Sequence, residues 1–201
     1  MVVAIVTVLA ALVLPALARS KVLAVRTACT GSVRQLTLAI QMYADDHDGM
    51  LSHCTNDMFY AYKDCLSPYL GLPSGVQSNL AVFACPADTT FRFKSQTRYS
   101  SYGFNGVDRG TNGFGMAGRK LATVQEPGRT VLIGEIAGAM AMSWHDSHPR
   151  GLQHNHALAA AGFVDGHASY VRIYWNGAIG KPGFPINYEP PAGYDYKWAG
   201  D

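Results

Sequence analysis

An uncharged apolar run from Val2 to Ala18, VVAIVTVLAALVLPALA, constrains this chain more than any other stretch. It carries no polar face, so it does not suit one side of a soluble amphipathic helix. Its length falls a little short of the roughly 20 residues that cross a hydrocarbon core. A secretory leader would open on basic residues and stop at a cleavage site, whereas here nothing basic precedes the run and the helical pattern continues past it. The expectation is a membrane-embedded helical segment over residues 1–18.

Beyond Arg19 the pattern becomes a stripe. Val22, Val25, Cys29, Val33, Leu36, Ile40 and Tyr43 recur at three- and four-residue steps, which lines one face of a helix. Arg19, Lys21, Arg26, Arg34 and Gln35 fall mostly off that face. One helix is predicted from Val2 to about Tyr43, kinked at Pro15, which lacks a backbone donor and clashes one turn back. Its amphipathic half spans 19–48. Gly49, after Asp45, Asp46 and Asp48, reads as the stop.

Residues 49–175 read as one α+β head, large enough for a core of its own. A short helix is expected within 56–70, and loops with short strands over 74–128. The β-branched run RTVLIGE at 129–135 is a strand. Residues 157–175 form a hairpin about Asp165-Gly166, a favoured pair for a two-residue type I′ turn. Pairing Val164 with His167 would set Ala160 opposite Val171 and Leu158 opposite Ile173. The first of these strands is almost all Ala and Gly, so the striped helix can approach it closely. Residues 176–201 carry Pro, Gly, Tyr and Trp and read as an ordered cover or a loose tail. The predicted architecture is a long kinked helix on a small antiparallel sheet, an α+β arrangement.

Charged residues make up 15% of the chain and the net charge is +2, with the basic residues scattered, so no nucleic-acid partner is expected. The cysteines are Cys29, Cys54, Cys65 and Cys85. An even number behind an export-type helix favours disulfides, and three pairings are open. Cys54 with Cys65 would close a short loop, and Cys29 with Cys85 would tie the helix to the head. Buried free thiols remain the alternative.

Several segments together carry a resemblance. LAALVLPALARSK (9–21), Cys29 and VRQLTLAIQMYADDHDG (33–49) are similar to the N-terminal half of pseudopilins, the type IV pilin-like proteins with a prepilin-type N-terminus, in a planctomycete and verrucomicrobial branch. FACPAD (83–88), SSYGFN (100–105), EPGRTVLIGE (126–135) and GFVDGHASYV (162–171) resemble later segments of that family, in the same order. The resemblance implies a pilin-like fold and a structural role in a type II secretion or type IV pilus-like fibre. It implies a single-pass anchor in the bacterial inner membrane before assembly, and a head in the periplasm or on the cell surface. Leu9, Leu12, Leu14, Pro15 and Leu17 would then make membrane and assembly contacts. Val25, Cys29, Val33, Leu36, Ile40 and Tyr43 would hold the helix on the sheet, and Phe163, Asp165, Gly166 and His167 would form the hairpin motif. The implied partners are other pseudopilin subunits, the inner-membrane assembly machinery and a prepilin peptidase.

Two departures stand out. The family's processing site is absent, and alignment on Pro15 places Met1 about seven residues inside the expected mature protein. A basic leader upstream would also reverse the orientation that Arg19 and Lys21 alone predict, a head in the cytoplasm. This family branch also has a histidine nine residues before the Asp-Gly. Asn155 stands there, flanked by His154 and His156.

Five histidines, His145, His148, His154, His156 and His167, gather with Asp146, Asp165 and Glu135 in the last third of the chain. One reading is a zinc site, with His154, His156, His167 and Asp165 as the ligands. A second is a hydrolytic acid–base pair in a membrane-anchored exported domain. The third is structural, with one histidine bonded to Glu135 or to the Asp165 turn. No H-E-x-x-H spacing and no nucleophile elbow is present, so no catalytic residue is assigned and no enzyme is expected. No cofactor is expected either, beyond zinc here or calcium on Asp45, Asp46 and Asp48 as alternatives. Gly110, Gly113, Gly115 and Gly118 mark a loop without the context of a phosphate site. The aromatic stretch Tyr188–Trp198 would suit a glycan or partner surface, or a cover over the sheet.

Overall fold

The computed structural model describes residues 2–51, 61–72, 81–88, 100–106, 115–148, 152–177 and 185–200. Helix α1 (Val2–Asp45) runs unbroken through Pro15. It ends two residues past the expected point. Asp48 and Gly49 take positive φ, and the Gly49 N–H donates to the Ala44 carbonyl at 2.8 Å, which closes the last turn. Helix α2 (Ala61–Leu66) and the single turn Pro68–Leu70 match the later part of the short helix expected over 56–70. Its earlier part, along with Cys54, Gly110 and Gly113, lies outside the described residues.

Strands β1 (Tyr102–Phe104), β2 (Val131–Glu135), β3 (Ala157–Phe163) and β4 (Ala168–Ile173) form one antiparallel sheet in the order β1-β2-β3-β4. The C-terminal half of α1 lies on one face. Cys29, Val33, Leu36, Ile40 and Ala44 are buried there with Tyr62, Leu66, Phe83, Tyr102, Phe104 and Ala160. Val25 and Tyr43, at the ends of the stripe, are half-buried, and Val22 is exposed. The chain is therefore a long helix on a four-stranded antiparallel sheet, the α+β arrangement expected.

The opposite face is covered by the last described residues. Ile186, Tyr196 and Trp198 pack on Val131, Ala157, Ala159, Phe163, Val171 and Ile173. Lys197 pairs in parallel with Thr130, and the Val131 N–H donates to the Lys197 carbonyl at 2.9 Å. Of the two readings of residues 176–201, the described part is an ordered cover.

The hairpin is present, but its register differs by one residue from the expected one. Ala160 faces Tyr170 and Leu158 faces Arg172, while Val171 faces Ala159 and Ile173 faces Ala157. The reason is the turn. Three residues, Val164, Asp165 and Gly166, form the loop, and the Phe163 N–H donates to the His167 carbonyl at 2.9 Å. Gly166 sits at φ +94 as the left-handed third residue. This is the type I turn with a bulge that competes with a type I′ turn for the same Asp-Gly pair. A one-residue slip moves side chains to the other face. Val171 and Ile173 therefore meet the C-terminal cover, and Ala160, Gly162, Ala168 and Tyr170 meet α1.

The small residues of β3 set the distance to α1. A Cβ at Gly162 would overlap the Thr37 hydroxyl and press on Val33. Gln41 then donates from Nε2 to the Val164 carbonyl at 2.9 Å and ties α1 to the turn.

Lys63 lies against the Phe83 ring, 5.0 Å from its centroid. Burial lowers its pKa to about 8, with nearby Asp64 opposing the shift only in part. Burial also pushes the phenols of Tyr102, Tyr170 and Tyr196 up. The signs oppose each other. From pH 8 towards about 10 the unfolded chain holds the Lys63 proton that the native chain has shed, so stability rises. Above about pH 10 the unfolded tyrosines ionise and the buried ones do not, so stability falls. Urea midpoints across this range should peak on the alkaline side of neutrality, and Lys63→Met should flatten the rising limb.

Candidate functional site

Several polar residues of the resembling segments are interior latches. Asp88 accepts the Ser101 hydroxyl at 2.7 Å, and both residues are buried. The Tyr62 hydroxyl lies 2.8 Å from Ser100 Oγ and donates to the Tyr102 carbonyl at 2.8 Å. Asn105 donates from Nδ2 to the carbonyls of Val131, at 2.7 Å, and Trp198, at 2.8 Å. Thr130 donates to the Glu126 carbonyl at 3.0 Å. Together these bonds fix the chain within and beside β1 and β2, where an unpaired buried polar group would be costly.

The deepest of these groups surrounds the join between α1 and the sheet. Cys29 and Cys85 are disulfide-bonded, with Cα atoms 5.2 Å apart, which is the helix-to-head tie expected. His145 Nε2 lies 2.7 Å from Glu135 Oε1 and 3.5 Å from Cys85 Sγ. Glu135 Oε2 accepts the Ala160 N–H at 3.0 Å, so both carboxylate oxygens are used. The His145 ring meets Tyr170 edge-on at 5.2 Å. Arg26 donates to the His145 carbonyl, and the Tyr170 hydroxyl donates to the Arg26 carbonyl at 3.2 Å. The His145 and Glu135 side chains are only 2% and 0% exposed, so the pair is closed to solvent. This is the structural bond to Glu135 that the sequence left as one alternative.

Nothing among protein-family models, curated proteins or solved structures matches this chain.

The histidine cluster of the sequence divides into separate groups. The quartet His154, His156, His167 and Asp165 is not brought together. His154 and His156 precede β3, whereas Asp165 and His167 lie in the turn that follows it, so the full length of the strand separates them, roughly 20 Å at the usual rise. His167 Nδ1 bonds Asp165 Oδ1 at 2.6 Å, and its ring stacks on Phe163 at 4.2 Å. His156 meets Tyr194 edge-on at 5.7 Å. His154 instead joins Asp146, with Nε2 2.9 Å from Oδ2, and stacks on His148 at 3.9 Å.

Asp146 is the centre of that last group. Burial alone would raise its pKa. Hydrogen bonds from His154 and from the backbone N–H groups of His148 and Leu158 outweigh this and hold the carboxyl below its usual range. Residue spacing did not single out this trio, because Asp146, His148 and His154 all lie outside the regular elements. Among the described residues, the acidic turn at the end of α1 makes no comparable group. Asp46 accepts the Tyr69 hydroxyl at 2.9 Å, and Asp45 and Asp48 are exposed. Within the aromatic stretch Tyr188–Trp198, Tyr196 and Trp198 are buried against the sheet, which removes them from any surface role.

The remaining feature is the projecting half of α1. Leu9, Leu12, Leu14 and Leu17 are 57%, 69%, 65% and 60% exposed, and Val3, Val6, Val13, Val22 and Leu23 are exposed beside them. Among the described residues no helix is long and apolar enough to cross a membrane. The uncharged run 2–18 makes about 25 Å of helix at 1.5 Å per residue, short of a hydrocarbon core of about 30 Å. The side chains of Val2, Ala4, Ile5 and Val8 lie outside the described ones.

Proposed function

We propose that this chain is a pseudopilin-like structural subunit of a type II secretion or type IV pilus-like fibre. The observation that carries the reading is the apolar half of α1, whose described side chains are exposed and which is continuous with a half fixed to the head. A patch of that extent on a soluble monomer normally marks a protein or membrane contact. Packing against the same segment of other subunits would bury Leu9, Leu12, Leu14 and Leu17 without requiring a full membrane crossing. The order of the resembling segments supports the same reading. Before assembly the segment would rest in the bacterial inner membrane, with the head in the periplasm or at the cell surface. A prepilin peptidase and the inner-membrane assembly machinery would be partners, and the chain would carry no catalytic residue.

The test is mass spectrometry of the N-terminus of the protein taken from its native membrane. The expected result is a methylated phenylalanine upstream of Met1. An unmodified Met1 on a protein recovered from the soluble fraction would overturn the proposal.

A further inference from the structure

We propose that Asp146, His148 and His154 bind one divalent transition-metal ion, with zinc as the ion best suited to these donors. The site lies on the head and does not rest on the fibre reading. The donor atoms of the three residues all lie within 4.8 Å of one another. Two imidazoles and one carboxylate are a donor set that zinc takes readily, whereas calcium and magnesium prefer oxygen donors alone. Three protein ligands leave a fourth position open. His148, with 57% of its side chain exposed, opens that position to solvent.

The surroundings orient the donors. His154 Nε2 lies 2.9 Å from Asp146 Oδ2 and Nδ1 lies 3.2 Å from the Leu152 carbonyl, so a cation that takes the place of the Nε2 proton would leave the remaining ring proton on Nδ1, facing that carbonyl. Metal-bound histidines commonly hold their second nitrogen on a backbone carbonyl in this way. The His154 N–H donates to the Ala141 carbonyl at 2.9 Å, which fixes the backbone beneath the ring. Asp146 is fixed by the Leu158 N–H at 3.3 Å and the His148 N–H at 3.1 Å. His148 has to leave its stack on His154. Its Nδ1 is 3.7 Å from Asp146 Oδ1, and a small swing of this exposed ring brings it into reach of a shared ion.

The test uses the full chain in detergent, without an affinity tag, stripped by a chelator and titrated with zinc chloride in a calorimeter. Saturable uptake of one ion per chain is expected, with a higher melting temperature in its presence. His148→Ala removes a solvent-exposed ligand and should leave the circular dichroism spectrum unchanged. It should weaken uptake at least about tenfold. Asp146→Asn keeps an acceptor for the Leu158 N–H and should weaken uptake as much, while His156→Ala should leave it unchanged. No saturable uptake by the parent would overturn the proposal. Uptake unchanged in His148→Ala would also overturn it, as would uptake that survives there and disappears with Cys65→Ala.

Discussion

Leu36→Asp should leave the head unfolded at room temperature, while Leu38→Asp should fold like the parent. Leu36 is 0% exposed and lies in the middle of the α1 face that meets the sheet, whereas Leu38 is 45% exposed and points away. Removing a buried leucine side chain costs about 2–5 kcal/mol through lost burial and the cavity left behind. A carboxylate in the same place adds several more, because it would be desolvated within an apolar cluster. The sum reaches at least about 5 kcal/mol, comparable with the whole stability of an ordinary domain. The exposed change should stay within about 0.5 kcal/mol. Circular dichroism and urea titration of the two variants read the difference directly. A Leu36→Asp protein as stable as its parent would mean that α1 is not packed on the sheet.

Replacing both Cys29 and Cys85 with alanine should lower stability by about 4 kcal/mol. The bond closes a loop across a sequence separation of 56 residues, so it removes much of the freedom of the unfolded chain. Alanine at both positions leaves no thiol to re-pair, and the Glu135–His145 bond is untouched. Treating the parent with a strong reductant should reproduce most of the loss. Equal urea midpoints for the parent and the double variant would show that the bond adds nothing to the fold.

The elements that a reader of the sequence could see were those with a strong local period or punctuation. The stripe from Val25 to Tyr43, the strand ending at Glu135, the stop at Gly49 and the Asp-Gly hairpin are all of this kind. The register of that hairpin was not legible, because Asp-Gly suits both a two-residue and a three-residue loop. The choice fell to packing: the three-residue loop lets Gly162 meet Thr37 and lets Gln41 reach the Val164 carbonyl. Thr37 and Ala39, buried but outside the apolar stripe, were missed for the same reason. The bond between Glu135 and His145 was visible only as one of several pairings, since nothing local distinguishes His145 from its neighbours. The residues of the Asp146 trio lie outside the regular elements, where no spacing rule applies. The C-terminal cover has no period either, because isolated residues (Ile186, Tyr196 and Trp198) do its packing.

The way that cover is attached bears on the order of folding. Asn105 bridges Val131 and Trp198, contacts separated by 26 and 93 residues in sequence. Thr130 joins Lys197 across a similar gap. The second layer of the core therefore closes only after nearly the whole chain is available, and contacts this distant in sequence slow folding. During synthesis the sheet would wait with one apolar face uncovered, a state that invites chaperone binding or aggregation. Trp198, buried on closure, should report that last step as a slow fluorescence phase distinct from the earlier docking of α1.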